Sequence, residues 1–178
     1  MKKLILSVLS LAVLASEASV QTIVVNGSKV ATVGAYDFGP PMSGAVRSRE
    51  LTVMTSGEVL EVDTYIHYPN GRVDSYDAYC IVTKVDATIV ASLQAQLDTI
   101  QNNEEIEKES EGADGGAQIY SRYFFDRSTR DIKKQVIART RFSGDGFLLP
   151  AKSKDAAMAA QKILGSILSS TRACAISK

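Results

Sequence analysis

The chain has 178 residues, 45% apolar and 22% charged, with 20 basic residues balancing 20 acidic ones. That composition is ordinary for a globular domain. It excludes a disordered chain, and the lack of a basic excess makes general nucleic-acid binding a poor first hypothesis. One histidine and two cysteines leave little from which to build a zinc site.

Residues 1–18 read as an address rather than a fold. Lys2 and Lys3 precede an apolar run over 4–14 broken only by serines, and Ser16-Glu17-Ala18 places small residues where a signal peptidase reads. The run is about 11 residues, short of the roughly 20 that a spanning helix needs. The expectation is an exported protein, periplasmic or extracellular, cut near Ala18, with 19–178 forming one α+β domain. Removing Lys2, Lys3 and Glu17 takes the net charge from 0 to −1. No cysteine follows the cut, so no lipid anchor is predicted, and no second long apolar run predicts a transmembrane segment in the mature chain. In an exported chain, Cys80 and Cys174 predict a disulfide. It would close a loop of about 95 residues, worth roughly 4–5 kcal/mol in the chain-entropy picture.

Two β-branched runs, 20–25 and 28–33, flank Asn26-Gly27 and predict a first hairpin. Residues 34–44 carry glycines and the Pro40-Pro41 pair and predict a loop. A strand over 49–55 follows, with Leu51 and Val53 on one face. Next, 59–68 and 72–85 flank Pro69-Asn70-Gly71 as a second hairpin. A two-residue Asn70-Gly71 turn sets its register. Leu60 then faces Ile81, Val62 faces Tyr79, Thr64 faces Asp77 and Ile66 faces Ser75. On the opposite face Glu61 meets Cys80, Asp63 meets Ala78, Tyr65 meets Tyr76 and His67 meets Asp74. The first face is the more apolar and is predicted to meet the core, leaving the second wet.

Asp86 is placed to cap a helix from Ala87, with Ile89, Leu93, Leu97 and Ile100 as its apolar stripe. Residues 104–116 are acidic, then glycine-rich, and predict a solvated loop. Strands over 117–125 and 135–142 predict a third hairpin, with a short helix within 126–137 as the competing assignment. Ser153 is placed to cap a last helix whose apolar face is Ala157, Ala160, Ile163, Leu164, Ile167 and Leu168. The fold class is therefore α+β, a largely antiparallel sheet of hairpins with two helices on one face.

No motif identifies a chemistry. His67 and Asp74 can form a general-base pair, and Glu61 with Asp63 can form the carboxylate pair of a hydrolase. Charged pairs on a strand face are equally the signature of a wet surface. No nucleophile elbow, calcium loop or metal-ligand spacing accompanies them. Arg122, Arg127, Arg130, Lys133, Lys134, Arg139 and Arg141 make the third hairpin basic, suited to an anionic ligand or to a solvated face. Tyr65, His67 and Tyr76 on one strand face, and Tyr36, Phe38 and Met42 in the proline-stiffened loop, suit a binding surface. The sequence favours an exported binding or protein-interaction domain without catalysis or cofactor, its partner a protein or a cell-envelope ligand. A small hydrolase using carboxylates with His67, or a small-ligand carrier, is the alternative.

Overall fold

The computed structural model describes residues 26–36, 46–67, 74–106, 116–141 and 146–171; the side chains at 46–47, 66–67, 74–78 and 82 lie outside that description. Among the described residues seven antiparallel strands form one sheet: β1 (Lys29–Tyr36), β2 (Val46–Met54), β3 (Glu58–His67), β4 (Asp74–Lys84), β5 (Ala117–Asp126), β6 (Asp131–Thr140) and β7 (Phe147–Leu148). Helix α1 (Ala87–Asp98) links β4 to β5, and α2 (Lys154–Ser170) follows β7. The order across the sheet is β4-β3-β2-β1-β5-β6-β7. Each half is thus a meander that ends in a helix, and the halves join at the antiparallel β1/β5 seam. The α+β architecture expected from the sequence is the one observed.

One core fills the space between sheet and helices. Val33, Leu51, Val53, Val59, Tyr120 and Ala138 supply the sheet side, and Val90, Leu93, Leu97, Ala160, Leu164 and Ile167 the helix side. The last helix matches its expected face, with Ile163 and Leu168 half-buried at its margins. On α1 the stripe is rotated: Val90 is buried and Ile89 is 38% exposed. α1 also ends at Asp98, and Asn103 adopts a left-handed φ of 60°. Neither Asp86 nor Ser153 makes a side-chain cap bond. The Ser153 hydroxyl instead donates to Glu104 Oε2 (2.7 Å) and accepts from the Gln101 amide (3.0 Å). Glu104 also accepts from the Lys152 amide, so the start of the acidic segment is docked rather than solvated. Residues 107–115 lie outside the described residues.

Residues 20–25, the first arm of the first expected hairpin, lie outside the described residues; β1 is bonded to β2 on one edge and, from Ala31 to Tyr36, to β5 on the other. The segment 126–137 is strand and turn, not helix. A bulge there moves Val136 opposite Ser121 while Ala138 faces Tyr120. Both Ile137 and Ala138 are consequently buried, and the simple alternation is lost.

The β2–β3 turn depends on a glycine. Gly57 has φ +85°, and its carbonyl accepts from the Val85 amide at 2.8 Å. A Cβ there would sit 2.4 Å from the Val85 carbonyl oxygen. Gly57→Ala is therefore expected to destabilise by about 2 kcal/mol or more, the left-handed penalty plus the backbone clash, as read by the urea midpoint.

Candidate functional site

The second hairpin forms in the register expected from its turn: Leu60 pairs with Ile81, Glu61 with Cys80, Asp63 with Ala78, Tyr65 with Tyr76, and His67 with Asp74. Its faces are inverted. Glu61 and Asp63 are fully buried and Tyr65 nearly so, while Tyr79 is 54% and Ile81 44% exposed. The cause lies one strand away. Residues paired across strands share a face. Val53 pairs with Val59 and Leu51 with Glu61, and Leu51 and Val53 belong to the core continuous with Ala31 and Val33 of β1. The strong apolar pattern of β1 and β2 sets the side on which the alternation of β3 must fall.

Burial of Glu61 requires a counter-charge, and Arg49 supplies it. Its guanidinium donates to both Glu61 oxygens, at 2.5 and 3.1 Å, a forked arrangement that favours the charged forms. Arg49 also donates to the hydroxyl of Thr171, one residue past α2, at 3.2 Å. Directly opposite Arg49 on β3 is Asp63. Among the described residues neither Asp63 oxygen finds a hydrogen-bond partner. Burial, and secondarily the Glu61 carboxylate, push the Asp63 carboxyl up to about 6, against the opposing pull of Arg49. The cluster is thus an ion pair with an acid beside it that holds its proton near the upper end of the carboxylate range.

A raised folded-state pKa fixes the sign of a pH effect. Asp63 binds its proton more tightly folded than unfolded, so its contribution is intact below about pH 4 and is lost as pH rises to 6 and beyond. Asp63→Asn is expected to remove that decline and to raise stability at pH 7 by about 1–2 kcal/mol relative to the native chain. Parallel urea titrations between pH 4 and 7 check this, and equal slopes for the two proteins would contradict it.

The face of the sheet turned away from the helices holds a second polar group. Tyr36 is the last residue of β1 rather than part of the following loop. Its hydroxyl donates to Glu50 Oε2 at 2.9 Å, and Lys134 Nζ reaches the same oxygen at 2.8 Å. Burial, then the Glu50 charge, raise the Tyr36 hydroxyl well above its usual value. The ring lies against Gly34, where an added Cβ would meet it at 2.5 Å. Lys29 stands over Tyr123, 5.5 Å from the ring centre. At the β4 end of this face Leu60 and Val62 are half-buried beside the exposed Tyr79 and Ile81.

The basic hairpin is largely spoken for. Arg122 is buried and donates to Leu97 O, Asn102 Oδ1 and Gln135 Oε1, and its guanidinium lies 4.9 Å from the centre of the Phe124 ring. Lys133 pairs with Asp126, and with the Ser128 donors it holds that carboxyl far below the usual range. Arg127 and Arg130 are exposed on the turn.

Of the residues singled out in the sequence, Glu61, Asp63 and Tyr65 are brought together, on the buried side. Backbone pairing places His67 opposite Asp74 and Tyr65 opposite Tyr76, but the side chains of His67, Asp74 and Tyr76 lie outside the described residues. Phe38, Met42 and Cys174 lie outside them altogether. Cys80 is on β4, and no described cysteine is free. Sequence reasoning missed Arg49, although its place two residues before Leu51 on the same strand face was a usable signal. Among the described residues no group of three or more histidine, cysteine or acidic side chains is placed to hold a metal ion. No described helix is long and apolar enough to cross a membrane. No family model, characterised protein or solved structure matches the chain.

Proposed function

We propose that the protein is an exported binding domain without catalysis of its own, which meets its partner through the sheet face turned away from the helices, at β3 and β4. The observation that carries this is the exposure of Tyr79 and Ile81 beside Leu60 and Val62. Folding has turned the more apolar face of the hairpin outward, and contiguous apolar surface on a folded domain marks contact sites. Tyrosine at its centre suits such a contact, being amphipathic with few rotatable bonds. The partner is a protein or a cell-envelope ligand with an apolar contact patch. The hydrolase alternative is weakened on the same geometry, because Glu61 is committed to Arg49 and Asp63 is closed to solvent.

Export rests on the first 18 residues, with the mature chain starting at Ser19. A Cys80–Cys174 disulfide belongs to the same proposal, supported by an even cysteine count in a chain read as exported. Non-reducing peptide mapping is expected to recover the cross-linked pair.

The test uses cross-linking in the native exported fraction. Ile81→Lys places a charge on the patch without touching the core and is expected to abolish the cross-linked species while leaving the thermal midpoint within a degree or two. An unchanged cross-linking pattern, or substrate turnover lost in Asp63→Asn but not in Ile81→Lys, would contradict the proposal.

A further inference from the structure

Among the described residues the β5–β6 hairpin outruns the sheet. There β1 pairs with β5 only from Ala117 to Arg122. The last four residues of β5, to Asp126, extend about 13 Å beyond that pairing, bonded to β6. Near its end Phe125 and Ile132 face each other across the strands, 58% and 61% exposed. They are the two most exposed large apolar side chains among the described residues. Arg127 and Arg130 flank them on the turn, both exposed, with Arg130 in the left-handed region at φ 57°. From 126 to 134 the chain holds four basic residues and two acidic ones. Asp126 is neutralised by Lys133, and Lys134 is drawn to Glu50. Asp131 accepts from the Ile132 amide and is the acid left beside the two arginines.

We propose that this tip is a contact for an anionic lipid surface. Two apolar side chains on a narrow ribbon cannot supply the roughly 1,200 Å² that a specific protein–protein interface buries. They do match the shallow insertion of an apolar group into the headgroup boundary, with cations at its rim to meet lipid phosphates. Export brings the protein to a membrane surface, so this inference rests on the exported reading but not on the Tyr79/Ile81 contact, which lies at the other end of the sheet.

The experiment is sedimentation of the mature protein with vesicles of phosphatidylcholine alone and of equal parts phosphatidylcholine and phosphatidylglycerol. Binding is expected to the anionic vesicles only and to fade in high salt. Phe125→Ser with Ile132→Ser, and separately Arg127→Glu with Arg130→Glu, should each weaken it at least tenfold with thermal midpoints preserved. Ile81→Lys should leave it unchanged. Should a tip variant unfold, Phe125→Trp gives a second readout, since the chain contains no other tryptophan. Its emission is expected to shift blue on anionic vesicles. Equal binding to neutral vesicles, no binding to anionic ones, binding indifferent to both double variants, or an unshifted Phe125→Trp emission would overturn the proposal.

Discussion

Replacing Arg49 with methionine is expected to destabilise the protein by about 3–5 kcal/mol, the cost of leaving a buried charge uncompensated. Glu61 is fully buried and takes two of the guanidinium's bonds, whereas the Arg49 side chain retains 22% of its exposure. The pair is therefore asymmetric. Without Arg49, Glu61 has no route to water and stands beside a second buried acid, Asp63. Without Glu61, Arg49 can still reach solvent and still faces Asp63. Glu61→Leu is thus expected to cost clearly less than Arg49→Met. The double variant should recover most of the loss, because a well-packed apolar pair is often as good as a buried ion pair. Guanidinium midpoints for the four proteins form a double-mutant cycle with coupling well above 1 kcal/mol. Additive losses would mean that the two side chains do not act as a unit.

The second large effect is expected at Arg122. Its guanidinium meets the α1 C-terminal carbonyl of Leu97 at 2.6 Å, Asn102 at 2.6 Å and Gln135 at 2.8 and 3.0 Å. Gln135 in turn donates to the carbonyls of Gln101 and Glu104, at 3.1 and 2.7 Å. One side chain thus ties the end of α1 and the segment after it to the β5–β6 pair, and a cation at a helix C-terminus complements the dipole. Burial pulls the Arg122 pKa down, but from so high a starting value that the group stays charged. Arg122→Met strands the buried acceptors Leu97 O and Gln135 Oε1, releases Asn102 at the surface, and is expected to cost about 3–4 kcal/mol. Arg122→Lys keeps the charge but not the planar fork and should recover only part of it. Hydrogen exchange should localise the damage to the last turn of α1 and residues 99–104. Uniform loss of protection across the sheet would argue for a general packing role instead.

How much of this was legible in the sequence depends on how far each signal had to reach. The Asn70-Gly71 signal gave the register of β3 on β4 locally, and the described pairs from Leu60 to His67 obey it, with a shift of one only beyond the bulge at Val59. The helix α2 was equally local, because its apolar residues recur within a single element. The side of β3 that faces the helices was not local. Within the hairpin Leu60 and Val62 outweigh Glu61 and Asp63, and the hairpin alone points the wrong way. Leu51 and Val53, one strand over, decide the matter through pairing, and Arg49 makes the burial of Glu61 tolerable. Reading β2 and β3 together would have exposed the conflict between two apolar patterns and the cation that resolves it. The burial of Arg122 was hidden for a similar reason. In sequence it is one of seven basic residues, and only the fold brings Leu97, Asn102 and Gln135 around it. The pairing of β1 with β5, 80 and more residues away in the chain, is likewise a property of the whole sheet and not of the Asn26-Gly27 turn.

The inverted hairpin is the claim on which the contact surface stands, and hydroxyl-radical footprinting of the folded protein tests it most directly. Tyr79 and Ile81 are expected to be oxidised readily, and Tyr65 and Tyr120 to be protected until the protein is unfolded. Oxidation of Tyr65 at a rate comparable to Tyr79 in the folded state would contradict the account. It would return the Glu61, Asp63 and Tyr65 face to solvent.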